Sequence, residues 1–430
     1  MPALEAAMAW LDDHVDYEAI ASGRHPVPSL GRMEELCALM GHPQRTAPVV
    51  HVTGTNGKGS TVRMVTALLA ASGLSVGTYT SPDLERVNER LSRNGEPISD
   101  DELAEVLVGI AALEASSGVR PTRFEALTLA AFRWFADLPV DAVVLEVGMA
   151  GRLDATNVAD GVVAVVTNVG LDHTAVLGPT RRHIAAEKAG IVKPVSTLVL
   201  GETDPELVPL FTAQGPARTW LRDEDFGLTA NRLAVGGRSL DLRTPGAAYD
   251  EVFLPLHGAH QGDNAACAAA AAEAFFERPL DEDLLRGALE DVVVPGRFEV
   301  LRRNPLVVID GAHNADGARA AAAALDDLAV PGDTILVVGM NRDRDAVELL
   351  EALGARGAKQ VVATAAPWVR AMPPEDVAAA ATSLGVDAVG VPDIGRAVAT
   401  AVEAAGPGDV VLVAGSLHVI GPARKALTDH

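Results

Sequence analysis

Short apolar runs rich in β-branched residues recur along the first half of the chain, and each ends in glycine or a small polar residue. They are VVHVT at 49–53, VGTYTS at 76–81, DAVVLEVG at 141–148, GVVAVVTNVG at 161–170 and STLVLG at 196–201. Runs this short, apolar throughout and not alternating, predict strands buried on both faces. Between them, residues 61–71, 100–116, 124–137 and 180–190 have helical composition, and Gly73 is placed to cap the first of these helices. Strand, glycine loop, helix, strand is the opening of a parallel α/β sheet.

From about 215 to 257 the texture changes. GLTANRLAVGGRSLDLRT is short, alternating and broken by glycine, which predicts a small antiparallel excursion. Residues 257–276, HGAHQGDNAACAAAAAEAFF, predict an alanine-rich helix entered through a polar loop. A second α/β unit follows, with strands expected at 306–312, 334–340, 359–366 and 409–416. The boundary at 293–297 divides the chain into a larger unit over 1–294 and a smaller one over 295–430. The fold class expected is α/β, with a mostly parallel sheet in each unit. The frequent alanine reads as a compositional habit.

Composition narrows the partners. With 430 residues and 48% hydrophobic content, two domains are expected. Fifty-eight acids against 35 bases leave a net charge of −23, which argues against nucleic acid and anionic membrane as partners. A phosphate-bearing ligand must therefore be held by a local pocket. Two cysteines, Cys37 and Cys267, provide neither a disulfide framework nor a thiolate cluster. The first residues are acidic where a secretory signal is basic, and no run of 18 apolar residues occurs. A cytosolic protein is expected, and nothing in the sequence requires an obligate oligomer, so a monomer is expected too.

Candidate chemistry begins at Gly54, Thr55, Asn56, Gly57, Lys58, Gly59 and Ser60. A glycine loop between strand and helix gathers backbone N–H groups beside the positive end of a helix dipole, and Lys58 adds a full charge. The bland alternative is a tight turn, which the lysine and both flanking elements disfavour. The strict P-loop pattern is not met: Val52 stands where its first glycine belongs, and Gly59 follows the lysine in place of Ser or Thr. A magnesium-binding hydroxyl must then come from elsewhere, and Ser81 ends the next strand at the same rim. Glu146 lies in an apolar strand, where a carboxylate needs either a metal ion or a buried salt bridge. His173 follows the strand at 161–170, and Lys188 lies fifteen residues further on; its bland reading is a solvated lysine paired with Glu187. Across the boundary, Asn264 could read an adenine edge, Arg297 could clamp phosphates and Asp310 could hold ribose hydroxyls. His313 ends a strand of the second unit and is a candidate catalytic residue.

These segments, in this order, resemble folylpolyglutamate synthase and dihydrofolate synthase within the Mur ligase superfamily. The resemblance runs through VVHVTGTNGKGST, YTSPDL, RFEALT, LEVGMAGRLDATN, TNVGLDH, EKAGIVK, GAHQGDNA, PGRFE, IDGAHN and AGSLHVIG, nearly the whole chain. It implies a P-loop domain holding ATP and magnesium and a smaller Rossmann-like domain holding the amino acid. ATP would phosphorylate a folate or dihydropteroate carboxylate, and the amine of L-glutamate would attack the acyl phosphate. By the same resemblance Ser81 and Glu146 match a first magnesium site, and His173 matches a second. Lys188 matches a lysine that carries a carbamate. Asn264, Arg297 and Asp310 match nucleotide contacts, and Ser29, Leu30, Gly31, Phe124, Glu125, Leu153 and Asp154 match the pterin side. Two residues depart from the family pattern. Asp83 stands where a histidine is usual, which adds negative charge beside an anionic substrate, and Ala150 replaces a glycine. The rival readings are a Mur-type ligase with a different carboxylate acceptor, a P-loop ATPase that makes no bond, and a catalytically dead relative that only binds.

Overall fold

The computed structural model describes residues 2–16 and 30–428. Its first sheet has eight strands: β1 (Val49–Thr53), β2 (Val76–Tyr79), β3 (Leu91–Arg93), β4 (Glu96–Pro97), β5 (Ala142–Glu146), β6 (Gly161–Val166), β7 (Thr197–Leu200) and β8 (Arg218–Leu221). Their order across the sheet is β4-β3-β2-β5-β1-β6-β7-β8. All neighbours are parallel except β3, which runs antiparallel to both β2 and β4. Every residue of β1, β2, β5 and β7 is buried, as their unalternating apolar runs require. The expected strands at 76–81 and 161–170 are shorter than their apolar runs. β2 ends at Tyr79 and β6 at Val166, and the remaining residues form rim loops.

Three antiparallel strands, β9 (Gly227–Ala234), β10 (Gly237–Arg243) and β11 (Ala248–Leu254), make the excursion. Its first residues behave differently from the expectation, because 218–221 extend the parallel sheet as β8. The helix His260–Phe276 then crosses back and packs on the helix Lys58–Ala71 that follows β1. Thirteen of its seventeen residues are buried, most of them alanine. The alanine is thus a packing requirement: methyl-sized side chains let two helices approach closely over one sheet face. Buried Leu68 and Leu69 from the partner helix supply the bulk, each contributing about 1.5–3 kcal/mol on burial.

The second sheet holds β12 (Glu299–Arg303), β13 (Leu306–Ile309), β14 (Thr334–Val338), β15 (Gln360–Ala363), β16 (Ala388–Gly390) and β17 (Val410–Ala414). Its order is β12-β13-β17-β14-β15-β16, parallel apart from β12. The strands β12 and β16 were not expected from the sequence; both lie at the sheet edges and contain no fully buried residue. Hydrophobic clusters line both faces of this sheet, separate from those of the first. No helix among the described residues is long and apolar enough to cross a membrane.

Candidate active site

In parallel sheets, functional loops gather where neighbouring strands end. The phosphate loop follows β1, Glu146 is the last residue of β5, Thr167 to His173 follow β6, and Ser81 lies two residues beyond β2. These four strands are adjacent in the sheet. The second sheet presents Asp310 to Asn314 after β13, Met340 to Arg344 after β14 and Ser416 after β17, again from adjacent strands. The two rims face one another.

The phosphate loop is held from both sides. Gly57, at φ +83°, starts the helix Lys58–Ala71. A Cβ there would lie 2.3 Å from the Oδ1 of Asn264, so only glycine allows that side chain to lie against the loop. Asn168 accepts from the Asn56 amide at 3.0 Å, and the Thr167 hydroxyl donates to the Asn56 carbonyl at 2.6 Å. The Lys58 ammonium donates to the carbonyls of Gly54 and Thr55, at 3.2 and 3.3 Å, and so lies across its own loop. The Asn56 side chain exchanges bonds with Asn314 of the second sheet at 3.0 and 3.3 Å.

Beside the loop, the Glu146 carboxylate lies over the first helical turn and accepts from the Ser81 amide at 3.1 Å. Burial pushes its carboxyl above the ordinary range, opposed by the charge of Lys58, the Ser81 amide, Arg297 and Arg63. No salt-bridge partner lies within reach of Glu146 among the described residues. The Ser81 hydroxyl is buried without a hydrogen-bond partner. An orphaned hydroxyl beside a buried carboxylate with no salt-bridge partner fits a hard divalent cation, which takes oxygen ligands.

The third cluster surrounds Asp172, which the sequence reading passed over. Its carboxylate lies 2.7 Å from the Arg344 guanidinium, 3.0 Å from the Asn314 amide and 3.3 Å from Nε2 of His313. All three partners belong to the second unit. Burial opposes its ionisation, but the His313 hydrogen bond and the charges of His173, His313 and Arg344 hold its carboxyl well below the usual range. The neighbouring His173 is pushed down to about 4 by burial, with Arg344, His313 and Lys58 acting in the same direction against Asp172. At neutral pH its ring is uncharged, the form that ligates a metal. His313 was expected to act in catalysis, and its two ring nitrogens face the Gly311 carbonyl at 2.9 Å and Asp172. Both ring nitrogens are thus engaged within the protein, which makes His313 a link across the seam.

Lys188 ends the helix Arg181–Lys188 and is 3% exposed, so the solvated-lysine alternative fails. Glu187 turns instead to the Leu153 amide at 2.9 Å. Burial, reinforced by Lys58, brings the Lys188 amine down to about 7, against the pull of Asp172, Asp154 and Glu187. Its nitrogen has one long contact, 3.4 Å to the Met149 carbonyl.

Several expected ligand contacts prove to be structural clamps first. The Glu125 carboxylate receives both arms of Arg32 at 3.0 Å and caps its helix through the Thr122 amide at 2.7 Å. Asp154 accepts from Thr156 and from the Met149 amide, and burial pushes its carboxyl up. Asp310 accepts the amides of Phe298 and Ala312, both at 2.8 Å, which ties PGRF to DGAHN. Arg297 lies against Gly311. Phe124 lies on Gly148, where a Cβ would be 2.6 Å from its ring, with its centroid 6.0 Å from that of Tyr79. Leu30 and Gly31 start the helix Gly31–Leu39, and Ser29 lies outside the described residues. Asp83 is paired with buried Arg90 at 2.5 Å; burial alone would raise its carboxyl, and Arg90 reverses this and lowers it. Its expected repulsion of an anionic substrate is therefore cancelled locally. Ala150 is buried in the loop that Gly151 closes against the Lys188 helix backbone.

Two facing α/β units, one with a phosphate loop and the other with a polar strand-end cluster, define a nucleotide-dependent ligase architecture. Residues 52–272 match the Mur ligase middle domain, and residues 296–417 match the Mur ligase glutamate ligase domain. A dihydrofolate synthase/folylpolyglutamate synthase of Mycobacterium tuberculosis is 42% identical over 69% of this chain and 66% of its own length. The structure of Mycobacterium tuberculosis folylpolyglutamate synthase complexed with ADP superposes with a TM-score of 0.91 at 34% identity, covering 99% of this chain and 98% of that one. A bifunctional folylpolyglutamate synthase/dihydrofolate synthase with Mn, AMPPNP and L-glutamate bound gives a TM-score of 0.83 at 30% identity, with 99% and 98% covered. The chain belongs to the dihydrofolate synthase/folylpolyglutamate synthase family of the Mur ligases, a family of ATP-dependent glutamate ligases.

The Asp172 cluster yields a prediction. Asp172→Asn keeps the shape but removes the charge shared by His313 and Arg344, loosening the join between the units by about 1–3 kcal/mol. Small-angle scattering should show a larger radius of gyration for the variant than for the parent chain. An identical profile would mean that Asp172 does not hold the units together.

Proposed function

We propose that this chain is an ATP-dependent amide ligase that adds L-glutamate to dihydropteroate, to (tetrahydro)folate, or to both. The observation that carries the reading is the pair of bonds between Asn56 of the phosphate loop and Asn314 of the second rim. They hold the phosphate loop against the rim of the second unit, which supports a cleft shared by a nucleotide and an amino acid. A substrate carboxylate oxygen attacks the γ-phosphorus, the bond to the β-phosphate oxygen breaks, and ADP leaves. The neutral amine of glutamate then attacks the acyl carbon, the carbon–oxygen bond to phosphate breaks, and the amine proton leaves on the phosphate. Lys58, drawn from its own loop carbonyls, follows the transferring phosphoryl charge. Gly54, Thr55, Asn56, Gly57, Gly59 and Ser60 offer the loop around it. Asn264 and Arg297 flank the nucleotide, with Asp310 tying the turn that carries Arg297 to the segment after β13. His313 holds Asp172 at the rim of the cleft, and Phe124 offers an aromatic face to the pterin, walled by Leu30, Gly31, Glu125, Leu153 and Asp154. Ser81 and Glu146 would hold one magnesium ion, and His173 with Lys188 a second. Bound magnesium would neutralise phosphate charge and so let two anions approach.

A plain ammonium suits a metal site poorly, because like charges repel in a shielded cleft. The neutral Lys188 amine can add to carbon dioxide: a carbon–nitrogen bond forms, one proton is released, and a cation becomes an anionic oxygen donor. The lowered amine favours this. The reading with a different carboxylate acceptor rested on Asp83, and the Arg90 pairing removes its motive.

Phosphate release coupled to ADP formation should require both glutamate and dihydropteroate or tetrahydrofolate. Lys58→Ala should abolish it, by roughly 3 kcal/mol or more of transition-state stabilisation, without changing the circular-dichroism spectrum. Release without glutamate and pteroate would leave an ATPase, and a fully active Lys58→Ala would end the phosphate-loop assignment.

The carbamate has its own test. The amine is half neutral near pH 7 and largely protonated below it, so carbamate formation should rise with pH from 6 to 8. A 13C carbonyl signal from labelled bicarbonate should appear over that range and be missing in Lys188→Arg. Its absence from active protein at pH 8 would reject the carbamate.

A further inference from the structure

The loop that carries Ser81 also reaches the second unit. Glu89 stiffens it: its carboxylate accepts the amides of Leu84 at 2.8 Å, Glu85 at 3.1 Å and Arg86 at 2.9 Å. Thr80 donates its amide to the Arg90 carbonyl at 2.9 Å, and the Asp83–Arg90 pair closes the other side. Three consecutive amides on one carboxylate leave the loop little freedom, so residues 80–90 move as one bracket.

One end of the bracket holds the Ser81 amide on Glu146 and the unpartnered Ser81 hydroxyl. The other end is inserted into the second unit. Leu84 packs with Ile420 and Leu417 in a hydrophobic cluster of the second sheet. A Cβ on Gly421 would lie 2.0 Å from the Leu84 carbonyl oxygen, and one on Gly296 would lie 3.3 Å from the Leu84 side chain. Glycine at both positions makes a socket for one leucine. Arg424 then bridges Glu85 at 2.8 Å and Glu299 at 3.0 Å, across the seam.

We propose that Leu84 is a positioning residue: docking it into the Gly296–Gly421 socket sets the Ser81 end of the bracket and so couples closure of the two units to assembly of the first metal site. The proposal rests on the assignment of Ser81 and Glu146 to a divalent cation. An open enzyme would then hold metal–nucleotide weakly, and docking of the second unit would complete the site. The socket acts at a distance, because neither glycine lies at the ligating atoms.

Two variants attack the joint from opposite sides. Gly421→Ala places a methyl group against the Leu84 carbonyl, and Leu84→Ala withdraws the plug; Leu84→Met should restore it. Each is compared with Glu146→Gln for binding of a fluorescent ATP analogue, in EDTA and across a magnesium titration, with hydrogen exchange followed over residues 81–89. Thermal melting confirms folding. The expected result for Gly421→Ala and Leu84→Ala is unchanged binding in EDTA, a magnesium requirement raised about tenfold, faster exchange at 81–89, and a KM for ATP that is raised at limiting magnesium and recovers in excess magnesium. Parent-like magnesium dependence in both, while Glu146→Gln loses it, overturns the coupling. If Glu146→Gln also retains parent-like dependence, the metal assignment itself is wrong and the proposal falls with it.

Discussion

Asp172 is a buried carboxylate of one unit whose partners Arg344, Asn314 and His313 come from the other, while the amide of its neighbour His173 donates to it from its own. An uncompensated charge in such a place costs several kcal/mol, and breaking a buried pair by removing one member is correspondingly severe. Arg344, Asn314 and His313 offset that cost only when the second rim sits over the first. The electrostatics of the cleft follow. Burial keeps His173 neutral despite the charge of Asp172, and Lys188 has no single counter-ion. Lys58 is left to bond its own loop. The same cleft therefore contains a cation free to follow a phosphoryl group and an amine that burial has made nearly neutral.

Much of this was legible in the residues. Unalternating apolar runs located the buried strands because those strands are covered on both faces. Glycines at a strand end located the phosphate loop because the loop needs positive φ at Gly57. Glu146 stood out because an acid has no place in so apolar a strand without a partner. Asp172 did not, since a histidine adjacent to it offered the more familiar metal chemistry. Arg344 lies in a charged stretch, NRDRD, whose composition is that of a solvated loop. Its value depends on a contact between residues 172 positions apart, and no local pattern encodes that.

Other residues changed meaning in three dimensions. The alanines of His260–Phe276 read as a habit of composition, yet their size sets how closely two helices pack above the phosphate loop. Asp83 read as an added negative charge, yet Arg90 neutralises it and makes it part of a stiff loop. Leu84, an unremarked leucine between two acids, packs the Ser81 loop against a hydrophobic cluster of the second unit. In each case the side chain's neighbour, not its type, decides its role.

The central claim is that two facing rims join an activated carboxylate to an amine through an acyl phosphate. Dihydropteroate labelled with 18O in its carboxylate, turned over with ATP and glutamate, tests this most directly. Attack by that carboxylate on the γ-phosphorus leaves one of its oxygens on phosphorus, and the amide retains the other. The account predicts that released phosphate carries one 18O atom per amide formed. Unlabelled phosphate with a fully formed amide would contradict it.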